Sequence, residues 1–225
     1  MKLILGCPTL RRYDLLIGML QSAATGTRAP DRYVVVDNGG SLWADGKPEA
    51  VRALPLLVDT PGENLGCARS WNTLAKTLLF GDETALLLVG DDVLFRSGTI
   101  AAMVGAMETQ DADFVTAEPG GFSCFMVRRR LFEKIGYFDE QFWPAYYEDN
   151  DFHRRMQLSG VCKEIQVDVG YDHVNKGSQT VAAFSRQERL EHNKRFEANR
   201  ARYVAKWGGL PHEEKFDEPY NGLLG

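Results

Sequence analysis

The chain has 225 residues, of which 44% are hydrophobic and 25% are charged. This composition excludes a wholly disordered chain, and the length fits one domain or one domain with a C-terminal extension. The formal net charge of −5 gives no general attraction for a polyanion, so the sequence carries no strong nucleic-acid signal.

The first half of the chain alternates between strand-like and helix-like segments. Apolar runs predict four strands, and apolar residues at helical spacing predict one helix after the first strand and another after the third. The predicted strands are residues 2–7, 33–36, 56–58 and 85–89, and the predicted helices are residues 15–23 and 67–78. This alternation predicts an α/β fold in which helices flank a central, mainly parallel sheet.

The second half is less regular and ends in a long, charged helical segment. Strands are predicted at residues 114–116 and 122–127. Helices are predicted at 100–107, 148–158 and 185–207, with a further short helix that ends at Gly136. One side of the last helix carries Phe196, Tyr203, Val204 and Trp207. We expect a single domain over residues 1–208, made of the parts 1–93, 94–184 and the C-terminal helix 185–208, followed by a polar tail at 209–225.

The four cysteines are widely spaced and form no Cys-x-x-Cys pair. We expect reduced, buried thiols rather than disulfide bonds. The apolar stretch before Pro8 is too short for a signal-peptide core or a membrane span, and no later stretch is long enough to span a membrane. These features predict a cytoplasmic protein without a membrane span.

Polar residues gather where the predicted strands end, and the pair Asp91-Asp92 follows the most apolar strand. In an open α/β sheet, ligands bind at the carboxyl ends of the strands, so these positions predict a binding cleft. Two carboxylates there suit Mg²⁺ or Mn²⁺ bridging a diphosphate, because such hard cations take carboxylate and phosphate oxygens. A loop in which one aspartate caps the following helix is the alternative.

Short motifs follow one another in a fixed order over most of the chain. The first half contains Cys7-Pro8-Thr9 with Arg11 or Arg12, Val36-Asp37-Asn38-Gly39, Asn64-Leu65-Gly66 with Arg69 and Asn72, and Gly90-Asp91-Asp92-Val93. The second half contains residues 125–129, 135–140 and Tyr147-Glu148-Asp149-Asn150-Asp151-Phe152 with Arg155. With these motifs in this order, the sequence resembles the family-2-type glycosyltransferases of the GT-A fold.

The resemblance implies that residues 1–93 form a nucleotide-binding half. The nucleotide-binding positions that it implies are Pro8, Thr9, Arg11, Asp37, Asn64, Gly66, Arg69, Asn72 and Asp91. Asp37 would accept hydrogen bonds from the base or the ribose. The loop and helix start at 64–72 would cradle the diphosphate, because backbone N–H groups and the helix dipole favour an anion there. For Arg69 and Asn72, a solvated helix face is the alternative.

The implied cofactor is Mn²⁺ or Mg²⁺, and at its site the sequence departs from the family pattern. Relatives usually have an acid or an amide at the first position of the Asp-x-Asp motif, where this chain has Gly90. Asp92 then matches the third-position metal ligand. His173 resembles the histidine that some relatives bring to the cation, and the alternative is a structural histidine.

The acidic cluster at residues 148–151 lies in the implied acceptor and catalytic half, 94–184. Glu148 and Asp149 are the predicted catalytic residues. By resemblance, Asp149 is the base that takes the acceptor's proton, and in-line attack would invert the anomeric centre. We expect repulsion within the cluster to raise at least one carboxyl pKa. The alternative is that Glu148 and Asp149 are first-turn acids favoured by the helix dipole.

The acceptor or sugar site is predicted to include Trp143, Tyr147 and Asp151, and the aromatic wall on the acceptor side is predicted to include Phe142 and Tyr146 as well. Arg154 or Arg155, at helical spacing from Asp151, would hold that carboxyl ionised. Aromatic faces suit sugar rings, and they suit a protein core equally well, so a core role for the aromatic residues is the alternative.

The predicted function is transfer of a sugar from a UDP- or dTDP-sugar to a glycan, protein or small-molecule acceptor. The long C-terminal helix has two candidate roles, either at the acceptor site or in a homodimer interface. The missing acid at Gly90 motivates an alternative of another class, a non-catalytic nucleotide- or carbohydrate-binding module.

Overall fold

The structure is a computed structural model that describes residues 1–44, 46–77, 84–118, 120–174 and 179–223. Over these residues, eight strands form one sheet in the order β3-β2-β1-β4-β7-β6-β8-β5. The strands are β1 (Lys2–Thr9), β2 (Arg32–Asp37), β3 (Leu56–Asp59), β4 (Thr84–Val89), β5 (Val93–Phe95), β6 (Phe114–Glu118), β7 (Cys124–Arg128) and β8 (Glu164–His173).

The predicted α/β fold is confirmed, with a sheet that is mixed. The neighbours β3, β2, β1 and β4 are parallel, as expected where helices connect successive strands. In the other half, β7 is antiparallel to both β4 and β6, β5 is antiparallel to β8, and β6 and β8 are parallel. Each antiparallel pair thus includes a strand from the second half of the chain, whose sequence pattern is less regular.

The helices in the described residues lie close to the predicted positions, and two of them are short helices that the sequence did not predict, α2 and α7. The helices are α1 (Tyr13–Thr25), α2 (Glu49–Arg52), α3 (Gly66–Thr77), α4 (Thr99–Thr109), α5 (Arg129–Ile135), α6 (Glu148–Ser159), α7 (Gln179–Ala182) and α8 (Arg186–Trp207). Leu78, predicted in the apolar stripe of α3, lies outside the described residues. None of the described helices is both long and apolar enough to cross a membrane.

The two faces of the sheet pack against different helices. Alternate residues of a strand point to opposite faces, and in β4 Leu87 packs with the α1 and α4 side while Leu86 and Leu88 pack with the α3, α5 and α6 side. All three side chains are fully buried. Burial of β4 on both faces explains why its sequence is apolar throughout.

The C-terminal half of α8 takes part in a third, smaller apolar cluster. In it, Tyr203 and Trp207 of α8 pack with Phe142. Val204, predicted on the same side of the helix, is 38% exposed, so that prediction is wrong for this residue. The long helix therefore packs against residues that precede α6 and against α6 itself, through Tyr147 and Leu158.

The four cysteines are free, as predicted. Cys7 and Cys124 are buried, whereas Cys67 and Cys162 are half-buried.

Candidate active site

A cavity of about 790 Å³ opens at the carboxyl ends of β1 and β4. Loops after β1, β2 and β4, the starts of α3 and α6, and the segment from α7 into α8 form its wall. The structure brings together eleven of the predicted site residues in this wall: Pro8, Thr9, Arg11, Asn64, Gly66, Asp91, Asp92, Trp143, Glu148, Asp149 and His173.

Thr9 and Asp91 meet where two neighbouring parallel strands end. The β1–β4 register aligns Gly6 with Leu88, which carries the residues after both strands to the same edge. The Thr9 hydroxyl donates to Asp91 Oδ2 at 2.6 Å. Burial raises the pKa of Asp91 to about 6, and the hydrogen bond from Thr9 opposes that shift.

Asp92 and His173 form the pair at which a cation was predicted. The antiparallel pairing of β5 with β8 places His173 opposite Val93, next to Asp92 in the chain. His173 Nε2 lies 3.0 Å from Asp92 Oδ1, and this hydrogen bond raises the pKa of His173. The contact between Asp92 and His173, which are 81 positions apart in sequence, thus follows from the pairing of β5 with β8.

The donor set at this pair fits a cation that is bound together with a diphosphate. Within the described residues, no three His, Cys, Asp or Glu side chains are grouped so that they could hold a metal ion by themselves. Mg²⁺ and Mn²⁺ are commonly held by one or two protein ligands, with phosphate oxygens and water completing the shell. Asp92 and His173 supply that number of protein ligands.

Gly90 leaves room for the Asp92 side chain. A Cβ at position 90 would lie 3.0 Å from Asp92 Oδ1, closer than ordinary van der Waals contact. The Gly90 backbone N–H donates to the carbonyl of Ser123 at 2.9 Å, which fixes this turn against the start of β7. A side chain at position 90 would displace the Asp92 side chain. The glycine at the position where relatives have an acid is therefore compatible with the observed position of Asp92.

Glu148 and Asp149 open α6 as its first-turn residues. Glu148 is only 4% exposed, and its Oε2 is buried without a hydrogen-bond partner. Asp149 is half-buried, and its Oδ1 accepts from the backbone N–H of Asn150 at 2.8 Å. Burial is the main cause of the raised pKa of both carboxyl groups, and the charge of Asp149 adds to the shift of Glu148. Burial therefore outweighs the mutual repulsion that the sequence suggested.

Residues 143–147, which we name the catalytic loop, precede this pair and pack on the start of α3. Gly66 has a φ of 73°, and a Cβ there would lie 2.5 Å from the Pro144 carbonyl oxygen. That oxygen accepts from the Cys67 backbone N–H at 2.7 Å, and the Trp143 indole donates to the carbonyl of Asn64 at 3.1 Å. Gly66 is thus required by the close approach of the catalytic loop.

No protein-family model and no curated protein matches the chain. Solved structures do match. The mannosyltransferase PcManGT from Pyrobaculum calidifontis, in complex with GDP-Man and Mn²⁺, aligns with a TM-score of 0.65 and 19% identity, over 94% of this chain and 66% of that one. S. aureus TarS 1-349 in complex with UDP-GlcNAc aligns with a TM-score of 0.65 and 18% identity, over 91% of this chain and 66% of that one.

Glucosyl-3-phosphoglycerate synthase from Mycobacterium tuberculosis, in complex with phosphoglyceric acid, also matches, with a TM-score of 0.53 and 16% identity, over 87% of this chain and 80% of that one. The chain has the GT-A fold. It spans 36% of the length of the longer TarS structure and about two thirds of the length of PcManGT, so it covers a part of those proteins.

In this GT-A fold, Asp37 closes a turn and does not line the cavity. It is 1% exposed, and its carboxylate accepts hydrogen bonds from the Tyr13 hydroxyl at 2.9 Å and from the backbone N–H groups of Gly39 and Leu42 at 3.0 and 2.8 Å. These three donors leave the carboxylate engaged inside the protein. We therefore revise its predicted role from base or ribose recognition to turn formation.

Arg69 and Asn72 also lie outside the cavity wall. Asn72 is 2% exposed, so neither a nucleotide contact nor a solvated helix face describes it. Its amide exchanges hydrogen bonds of 2.9 Å with the backbone of Phe138. Arg69 forms an ion pair with Glu63 at 3.2 Å. Both side chains tie α3 to its surroundings. The nucleotide-binding assignment of Arg69, whose side chain is 42% exposed, stays a prediction.

The start of α3 is less available to a diphosphate than its sequence suggested. The Gly66 N–H donates to Asn64 Oδ1 at 2.9 Å, and the Cys67 N–H donates to the catalytic loop. Two of the N–H groups that a bound anion would use are therefore already engaged. Arg11, whose side chain is 66% exposed, lines the cavity as a cationic group.

Asp151, predicted at the acceptor site, is fully buried between α6 and α8. Arg155 Nε lies 3.0 Å from its Oδ2, as one of the two sequence alternatives predicted. Lys206 Nζ and the Trp207 indole N–H lie 2.7 and 2.9 Å from its Oδ1. Asp151 therefore anchors the C-terminal helix, and its predicted contact with the acceptor is corrected.

Tyr147 likewise faces the interior, because its ring packs on Phe196 and Tyr203 with centroids 5.6 and 5.4 Å apart. Its neighbour Tyr146, 36% exposed, lines the cavity instead. The two neighbouring rings therefore point to different places. This difference arises at the start of α6, where both tyrosines have φ above 70°.

Sequence reasoning gave the acceptor site as one of two candidate places for α8, but it missed the residues that α8 contributes to the cavity wall. Glu188, His192 and Arg195 line the cavity. Arg11 Nη1 lies 2.8 Å from Glu188 Oε1, so this wall is linked to the loop after β1. The helical spacing of 188, 192 and 195 was the available signal, because residues three and four apart share a helix face.

Proposed function

We propose that this protein is a glycosyltransferase that moves a sugar from a nucleotide-diphosphate donor to an acceptor hydroxyl. The observation that carries the proposal is the shared cavity. In a GT-A fold, one cavity of about 790 Å³ is lined both by the Asp92–His173 pair and by the buried Glu148–Asp149 pair. The first pair suits a cation with a diphosphate, and the second suits proton transfer.

Mn²⁺ or Mg²⁺ would be held by Asp92 and His173. The cation would neutralise the charge that develops on the departing diphosphate. The nitrogen ligand favours Mn²⁺ over Mg²⁺. Acidic side chains outnumber arginines in the described part of the wall, so an anionic donor enters more readily with a cation than without one. The exposed side chain of Arg11 supplies a further positive charge on this side of the cavity.

Asp149 would take the proton of the acceptor hydroxyl. A bond then forms between the acceptor oxygen and the anomeric carbon, and the bond from that carbon to the diphosphate oxygen breaks, releasing a nucleoside diphosphate. Attack opposite to the leaving group inverts the anomeric centre. A raised carboxyl pKa makes a better base near neutral pH than an ordinary carboxylate, as long as the group is ionised.

The acceptor side of the cavity would be the wall formed by the catalytic loop and α8. Trp143 and Tyr146 offer aromatic surface, and the Arg195 guanidinium lies 5.0 Å from the ring centroid of Trp143. Aromatic faces suit the apolar faces of sugar rings. A glycan, a protein side chain or a small molecule with a hydroxyl group remain the acceptor classes. This assigns α8 to the acceptor side rather than to a homodimer interface.

The test is incubation with a panel of UDP-, dTDP- and GDP-sugars, with and without Mn²⁺, while release of the nucleoside diphosphate is followed. The proposal predicts slow, cation-dependent hydrolysis of at least one donor, UDP- or dTDP-linked by preference, and faster release once an acceptor is added. Binding of a donor with no release under any condition would favour the second candidate, a non-catalytic binding module, which Gly90 motivates. Neither binding nor release would contradict both.

A further inference from the structure

Asn199 on α8 reaches three backbone carbonyls of the catalytic loop. It is 1% exposed and lies one helical turn beyond the cavity-lining Arg195. Its side-chain nitrogen lies 2.9 Å from the carbonyl oxygen of Ala145 and 3.3 Å from those of Trp143 and Tyr146. A single buried amide thus contacts most of the loop that leads into Glu148-Asp149.

The orientation of this amide is set by its other neighbour. Arg202 Nη1 lies 3.4 Å from Asn199 Oδ1 and 2.9 Å from the carbonyl of Gln141. Because a guanidinium only donates, it requires the amide oxygen on its side, which turns the NH₂ group toward the loop. The NH₂ group has two hydrogens for three carbonyls, so at least one hydrogen is shared.

The catalytic loop has a backbone shape that needs such support. Tyr146 and Tyr147 have φ of 74° and 72°, in the left-handed region that side chains with a Cβ rarely adopt. Consecutive residues in that region persist only where the surroundings hold them. The Asn199 amide binds the carbonyl of Tyr146 itself and those of Trp143 and Ala145 before it.

Helix α8 is a firm base for this contact. Lys206 forms an ion pair with the buried Asp151 of α6, and the Trp207 indole donates a hydrogen bond to it. Helix α6 is the helix that starts with Glu148-Asp149. The same helix α8 therefore holds both the body of α6 and the loop that precedes it. If the Asn199 contact is lost, the conformation of the catalytic loop changes, while the contact of α8 with Asp151 stays in place.

We propose that Asn199 is a positioning residue, which holds the catalytic loop in the shape that presents Asp149 to the acceptor. The proposal rests on the proposed glycosyl transfer. Asn199 does not belong to the described cavity wall, so it acts through the loop and not through contact with substrate.

The test compares Asn199→Asp with Asn193→Asp. The first replaces the donating NH₂ by an oxygen that faces three carbonyls. The second makes the same chemical change at an exposed position of the same helix. We expect Asn199→Asp to lower kcat about 10- to 100-fold with donor KM within about twofold of wild type, because small misplacements of a reacting group cost such factors. Asn193→Asp should retain wild-type kcat.

The pH dependence of kcat gives a readout that a merely structural role would not move. The pKa of Asp149 is raised mainly by burial, while the Asn150 N–H and the nearby His153 lower it, and Glu148 lies beside it in the chain. A loosened loop admits water, so the acid limb of kcat should move to lower pH in Asn199→Ser, which removes the amide without adding a negative charge that would oppose this shift. Unchanged kcat and an unchanged acid limb would overturn the proposal. A rise in donor KM equal to the loss in kcat, with the acid limb in place, would also overturn it.

Hydrogen exchange separates this proposal from the proposed function. The backbone amides of Trp143 and of residues 145–150 should exchange faster in Asn199→Asp than in wild type or Asn193→Asp, whether or not any donor is consumed. Equal exchange in the three proteins would overturn the positioning role, whereas absence of turnover in wild type would count against glycosyl transfer alone. If Asn199→Asp does not fold, Asn199→Ser undergoes the same comparison, because it removes the amide without adding a charge.

Discussion

The cavity contains two pairs of consecutive carboxylates, Asp91-Asp92 and Glu148-Asp149, whose surroundings differ. In the first pair, each residue has a polar side-chain partner, a hydroxyl 2.6 Å away for Asp91 and an imidazole 3.0 Å away for Asp92. In the second pair, Glu148 keeps one oxygen buried without a partner. Burial is the main cause of the raised pKa of both Glu148 and Asp149, as it is for Asp91 in the first pair, where the Thr9 hydroxyl opposes the shift.

The neighbours of a carboxylate, and not its residue type, determine what it can do. A carboxylate that lies beside an imidazole at the carboxyl ends of the strands can bind a cation together with a phosphate. A carboxyl group surrounded by apolar atoms and backbone retains its proton to higher pH and can exchange it near neutrality. The proposed function assigns the cation to the first pair and the acceptor's proton to the second.

The largest expected effect is at Asp149. Asp149→Asn removes the proposed base, so kcat should fall about 10²- to 10⁴-fold, the range for loss of general acid–base catalysis. Initial rates of nucleoside diphosphate release with acceptor present measure it, and Asp168→Asn, the same change at an exposed position, is the control. Turnover at the wild-type rate in Asp149→Asn would remove that residue from the role of base.

Asp151 belongs to the same stretch of sequence, but we expect its loss to affect folding. Asp151→Asn breaks the ion pairs that the fully buried Asp151 forms with Arg155 and Lys206, and loss of one partner of a buried ion pair costs about 3–5 kcal/mol of unfolding free energy. Urea denaturation measures this. Asp172→Asn, which breaks an exposed pair with Arg96, should change stability by less than about 1 kcal/mol. Equal effects of the two variants would contradict the anchoring role of Asp151.

His173 tests the first pair. His173→Ala removes one of two proposed cation ligands, so the Mn²⁺ concentration that gives half-maximal activity should rise at least about tenfold. The exposed His212, at a φ of 70° that asparagine tolerates, provides the control variant His212→Asn. An unchanged Mn²⁺ requirement in His173→Ala would mean that the histidine is structural.

The smallest expected effect is a pH-dependent stability difference at Glu148. Because its pKa is raised on folding, the folded state binds more protons than the unfolded state between the ordinary and the raised value. Stability contributed by this group is therefore lost as pH rises through that window. The Tm of Glu148→Gln minus that of wild type should increase with pH over the window, while Glu197→Gln at an exposed position shows no such trend. A difference independent of pH would contradict the raised pKa.

Much of the fold could be predicted from the sequence because strong periodicity accompanies burial. The apolar run of β4 and the helical spacing in α1 follow directly from the core that each segment contacts. The antiparallel pairing of β5 with β8 could not be predicted in this way, because β5 has only three residues and its partner lies about 80 residues later. That pairing brings His173 to Asp92, which a family resemblance indicated and local pattern did not.

The candidate site was harder to predict, because a polar side chain has the same sequence signature in a cavity and in the interior. Asp37, Asn72 and Asp151 are polar residues within the matching motifs, and all three bond to other parts of the protein. Asn199 looked like one more polar residue on a charged helix, yet it is buried against the catalytic loop. Hydrogen-bond partners distant in sequence decide these roles.

The division of labour between the two pairs is tested most directly by calorimetric titration of a consumed donor, with Mn²⁺ present, into Asp149→Asn and Asp92→Asn. The account predicts that Asp149→Asn binds the donor with wild-type affinity but does not turn it over, whereas Asp92→Asn binds at least about tenfold more weakly. Weakened binding in Asp149→Asn together with wild-type binding in Asp92→Asn would contradict it.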